Sequence, residues 1–98
     1  MDKGMHTHNF HGETSYDQGH THQYLGRTTP SPDTEGHIHY LIGFTNFSDG
    51  HMHHYVISTG PPIEGNGGHY HHYQGNTMAA NAHVHLMEGD TSTYREGT

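Results

Sequence analysis

Twelve of the fifteen histidines in this 98-residue chain stand in six His-x-His pairs: His6/His8, His20/His22, His37/His39, His51/His53, His69/His71 and His83/His85. In an extended strand, residues i and i+2 share a face roughly 6.5–7 Å apart. Two imidazoles so placed can converge on one ion, each offering a nitrogen at about 2.0–2.1 Å in the case of zinc. The pattern therefore points to transition-metal coordination, with Zn, Fe, Cu, Ni and Co as the candidate ions. One pair would carry little weight, but six in a common register carry a great deal. Two facing pairs make a four-nitrogen site suited to zinc or copper, whereas three make a six-nitrogen site suited to an octahedral ion such as Fe(II), Ni(II) or Co(II). The three pairs can come from one chain or from three, and internal repetition favours one chain carrying two such sites. The competing reading has the imidazoles merely hydrogen-bonding between strands. It leaves ring nitrogens buried without partners, at a cost of about 1–3 kcal/mol each.

The elements that must position these pairs follow from their spacing. Offsets of 14 separate His6 from His20, His37 from His51 and His69 from His83, and offsets of 31 and 32 separate His6, His37 and His69. The chain thus reads as one domain of three units, about 5–36, 37–68 and 69–91, with a short tail 92–98 expected to fray for want of a partner. Each half-unit approximates His-x-His-x-Φ-x-Gly-x-Thr, as in His6-His8-Phe10-Gly12-Thr14 and His20-His22-Tyr24-Gly26-Thr28. A period of 2 predicts strands. Gly19 and Gly50 suit hairpin turns, and in the third unit Asn81 is the expected left-handed residue. The Pro-rich stretches Thr29–Pro32 and Gly60–Pro62 predict extended connectors. The expected fold is all-β: six short His-x-His strands in three antiparallel hairpins, within a pseudo-threefold or oligomeric assembly.

Phe10, Tyr24, Leu41, Tyr55, Tyr73 and Met87 form the expected miniature core, and the glycines two residues on imply a bulge or close backbone approach. His11, His54 and His72 have the opposite parity and should face away from the array. Asp17 and Asp49 are expected to form turns, with orientation of an imidazole as the alternative.

Composition narrows the functions. Leu, Ile, Val and Phe number only 12, too few for a conventional core, and no run approaches a membrane span. Without Cys, disulfides and thiolate metal sites are excluded. Three basic against ten acidic residues, a net charge of −7, argue against nucleic acid. No leader pattern is visible in Met1–Thr14, so the cytoplasm is the default expectation, with a cell-surface or spore-associated assembly as the alternative. A weak core and a histidine array fit together if metal supplies the folding energy.

The stretch Gly19-His20-Thr21-His22-Gln23-Tyr24-Leu25-Gly26-Arg27-Thr28, echoed around Asp49-Gly50-His51-Met52-His53 and Gly68-His69-Tyr70-His71, resembles the YmaF-type family of small His-rich bacterial proteins. The resemblance spans residues 5–91, with departures at Ile57, Ala82 and Met87. Locally, the pairs also resemble the tips of trimeric phage tail fibres, where such pairs from three chains bind iron. That short likeness supports the octahedral option by analogy.

The primary reading is a metal-binding structural or assembly protein in which the six pairs coordinate ions that staple the fold and can also link subunits. A homo-oligomer, extending at the limit to a fibre, is expected from short strands with exposed edges, with neither nucleic acid nor membrane as partner. Metal storage or buffering is the second reading. A metalloenzyme comes third: Glu88 near His85 is the one faint candidate carboxylate, and no catalytic residue is assigned.

Overall fold

The computed structural model describes residues 4–16, 19–48, 50–65, 67–80 and 82–95, and every regular element among them is a strand. Eight strands occur: β1 (Met5–His6), β2 (Asn9–Glu13), β3 (Gln23–Arg27), β4 (Ser31–Pro32), β5 (Tyr40–Phe44), β6 (His54–Gly65), β7 (Gly68–Asn76) and β8 (Leu86–Asp90). All pairings are antiparallel, in the orders β1-β4, β2-β3 and β5-β6-β7-β8.

Alternation dictates what each strand buries. β2, β3, β5 and β8 each bury one side chain, respectively Phe10, Tyr24, Leu41 and Met87. Tyr55 and Ile57 of β6 and Tyr73 of β7 complete the core. Across the ladder, Phe10 faces Gly26, Tyr24 faces Gly12 and Tyr55 faces Gly43. A Cβ on Gly12 would lie 2.6 Å from Tyr24 Oη. These glycines are sites of close approach rather than bulges, because the ring opposite lies over the bare backbone. Ile57, which stands where the pattern has Gly, faces Leu41, whose smaller side chain leaves room for it.

The hairpins β2–β3, β5–β6 and β7–β8 close on one another through backbone hydrogen bonds. At the turn end, Ser15 N–H donates to Leu86 O, Asn46 N–H to Gln23 O and Met78 N–H to His54 O, each at 2.8 Å. At the other end, Thr29 N–H donates to Tyr40 O and Ser92 N–H to Asn9 O, while β6 pairs directly with β7. The result is a closed, elongated body of 48 × 20 × 19 Å.

Several sequence expectations change. The connectors are not free: Ser31–Pro32 forms β4 on β1, and β6 runs on through Pro61-Pro62 before folding back onto β7. The register shifts between Thr59 and Pro62, where the prolines supply no N–H to the ladder. Most His-x-His pairs lie in extended segments just outside the regular ladders; only His6, His69 and His71 fall within strands. Among the described residues of the third turn Ala82 is left-handed, with φ 66°, as are Gly19 and Gly50 at 83° each. Asn81 lies outside the described residues, as do Asp17 and Asp49. The start of the tail is held: Tyr94 N–H donates to His69 O at 2.8 Å and His69 N–H to Tyr94 O at 3.0 Å.

Candidate metal centres

The closed ring of hairpins brings the twelve predicted histidines into two clusters, one at each end of the aromatic core. Centre A gathers His6, His8, His37, His39, His69 and His71, all buried, with one nitrogen from each lying within 4.8 Å of all the others. Centre B gathers the remaining six as two overlapping sets of four, His20/His22/His51/His85 and His51/His53/His83/His85. His11, His54 and His72 belong to neither, as their parity requires. His11 and His72 are exposed, and His54 lies against Phe44 with ring centroids 4.7 Å apart.

The second histidine of every pair is fixed by one repeated local arrangement. Its backbone N–H donates to a threonine Oγ1 at 3.0 Å: His8 to Thr28, His22 to Thr14, His39 to Thr59, His53 to Thr45, His71 to Thr91 and His85 to Thr77. The same threonine's N–H donates to that histidine's carbonyl at 2.8 Å. The ladder is thereby extended by a side chain where regular strand pairing stops. Sequence reasoning recorded these threonines as part of the pattern but gave them no role. Their recurrence six residues after each second histidine was the available signal.

The imidazoles are oriented by the neighbouring hairpins. Nδ1–H of His8 donates to Ser92 O, of His39 to Thr29 O and of His71 to Gly60 O; that of His22 donates to Asn46 O, of His53 to Met78 O and of His85 to Ser15 O, at 2.8–3.1 Å. Every acceptor is the carbonyl of the residue after one of the six threonines. A carbonyl oxygen only accepts, so the proton of each neutral ring sits on Nδ1 and its Nε2 carries a lone pair. This is how ligating histidines are commonly held. In centre A, His37 is fixed likewise, its Nδ1–H donating to Thr34 O at 2.7 Å.

The lone pairs converge. Nε2 atoms approach at 3.1–3.2 Å in His6/His69, His37/His69 and His37/His71 of centre A, and in His20/His22, His22/His51, His51/His53 and His83/His85 of centre B. His37 and His71 both hold their proton on Nδ1, so their 3.2 Å Nε2 contact has no hydrogen to share. The Nε2 atoms of His8 and His39 are buried with no hydrogen-bond partner. Nitrogens at the corners of a regular octahedron with edges of that length would stand about 2.2 Å from its centre, close to a metal–imidazole distance.

Protons do not resolve the crowding at neutral pH. Burial, aided by the neighbouring imidazoles, lowers His8 to about 3 and His71 to about 4, and lowers His22, His39, His53 and His69 as well. The neutral, ligand-competent form is the stable one. Between the centres, Tyr24 Oη and Tyr73 Oη share a buried 2.9 Å hydrogen bond, and burial raises both phenols, so neither competes as an anion.

The buried histidine clusters are thus compatible with metal binding. No curated protein and no solved structure matches the chain. A family model, YmaF, described as "Spore germination protein GerY/YamF", matches residues 1–59, a span containing the first four His-x-His pairs. With more than half its length matched and the histidine pattern continuing beyond the match, the chain belongs to the YmaF family.

Proposed function

We infer that this is a metal-dependent structural protein whose three sequence units form a pseudo-threefold prism stapled by two six-imidazole centres. The observation that carries the reading is the His37–His71 contact, in which two lone pairs face each other in a buried site. A cation relieves that repulsion and satisfies the buried Nε2 atoms of His8 and His39. Six neutral nitrogens at about 2.2 Å suit octahedral Fe(II), Ni(II) or Co(II) better than four-coordinate zinc. A coordination shell filled by protein leaves no open position for substrate, which supports a structural rather than a catalytic role.

The outer face of β5–β6 exposes Tyr40, Ile42, Phe44 and Val56, which supports self-association. Sedimentation velocity should therefore give a mass above that of the monomer. The wording of the family description supports a spore-associated assembly over a free cytoplasmic protein. The central test is native mass spectrometry of the apo-protein titrated with Ni(II) and Fe(II), combined with X-ray absorption. Two ions per chain with six nitrogen scatterers each is the expected result. One ion, or a four-nitrogen shell, would overturn the six-imidazole reading.

A further inference from the structure

The two centres are built from the same motif, yet they are enclosed differently. In centre A, the outer histidines His6, His37 and His69 are 4–7% exposed. His6 belongs to β1 and stacks on Tyr94, with centroids 4.4 Å apart and ring planes at 23°. His69 lies in β7 and exchanges two backbone hydrogen bonds with Tyr94. His37 is tied to Thr34 O by its backbone N–H and by Nδ1–H, with Asp33 Oδ1 3.9 Å from Nδ1.

In centre B, the outer histidines are His20, His51 and His83. His20 and His83 are half-buried, and all three immediately follow the left-handed residues Gly19, Gly50 and Ala82. His51 and His83 are each paired locally, with Ser48 and Ala80 of their own turns. The nitrogens of centre B also fall into two overlapping sets of four rather than one set of six.

Resting on the metal-binding reading above, we propose that centre A retains its ion as a permanent staple, while centre B is where a divalent ion is loaded and released. The difference lies in the outer triads. Releasing the ion of centre A requires displacing Tyr94 and opening strand pairings. In centre B the outer triad includes two half-buried rings, His20 and His83, at the end of the body, so solvent reaches it and opening it costs less than parting strands. When the outer triad lets go, His22, His53 and His85 remain fixed through threonine Oγ1 and backbone carbonyls. They then present three imidazole nitrogens on one side of the ion, and three positions open toward solvent. An acceptor with three nitrogen or carboxylate donors completes the exchange by ligand substitution, without any redox step.

The experiment is a chelator challenge. Protein loaded with two equivalents of Ni(II) is mixed with excess EDTA, and ions per chain are followed by native mass spectrometry. One ion should leave quickly and the second at least about tenfold more slowly, as expected for opening a solvent-reached triad against parting strands. Tyr94→Ala, which alters no ligand, should speed the slow phase and leave the fast one unchanged. The double variant His20→Ala/His83→Ala should keep one ion, released at the slow wild-type rate. Two ions leaving at a single rate would overturn the proposal while leaving metal binding intact, as would a slow phase untouched by Tyr94→Ala. A chain that takes up no ion would overturn the underlying reading as well.

Discussion

Thr28 serves the centre it adjoins in three ways: its N–H donates to His8 O, its Oγ1 accepts from His8 N–H, and its hydroxyl donates to Thr29 O. Thr28→Val keeps the shape and removes the hydroxyl, leaving the buried His8 N–H unpaired. A loss of about 1–3 kcal/mol is expected, read as a lower midpoint in denaturant, with metal affinity reduced at centre A and preserved at centre B. Ala82 offers the opposite change. An L-residue in the left-handed region is strained by about 1–2 kcal/mol, which glycine's extra chain entropy offsets in part. Ala82→Gly should therefore stabilise the protein by up to about 1 kcal/mol in the same assay. Alignment of the three turns on the residue before each second pair places Ala82 in register with Gly19 and Gly50. The buried histidines set the pH response. His8 and His71 titrate at about 3 and about 4 when folded and near 6.5 when unfolded, so below 6.5 the unfolded chain binds more protons. Stability of the metal-free protein is full above that pH and is lost as pH falls from about 6.5 toward 3, which circular dichroism across pH 8–3 checks.

At the level of strands, the aromatic-over-glycine pairing is the rule that holds each hairpin in register. Gly43→Ala would put a methyl 2.9 Å from Tyr55 Oη, and an overpacking loss of about 1–3 kcal/mol is expected in thermal unfolding. The Leu41–Ile57 pair tests the same rule in reverse. Ile57→Gly alone should destabilise by opening a cavity, and adding Leu41→Tyr should recover part of the loss, giving a measurable coupling in a double-mutant cycle. The three hairpins and their buried faces were legible in the sequence because a period of 2 forces every patterned residue onto one side. The pairing of β1 with β4 was not, because it joins Met5 to Pro32 across an entire hairpin and proline argued against a ladder. Nor were the imidazole orientations legible, since their acceptors are backbone carbonyls, which every residue type possesses.

For the whole molecule, the seven buried apolar side chains among the described residues make a small core, and they lie between two clusters of polar rings. Stripping metal from the loaded protein with EDTA should therefore lower the thermal midpoint sharply and reduce the strand signal, with recovery on re-addition of Ni(II). Which histidines share a face is readable from their spacing. Their division between two clusters is not, because it depends on how the hairpins close. That closure is completed by the bond from Ser92 N–H to Asn9 O, which sets the end of the third hairpin against the start of the first. In a ring so joined, the order in which the chain visits the hairpins is arbitrary. Linking the two ends and cutting just before Asp33, so that the Thr34–His37 turn stays whole, would begin the chain at the second unit, and such a circular permutant should fold with both histidine clusters intact.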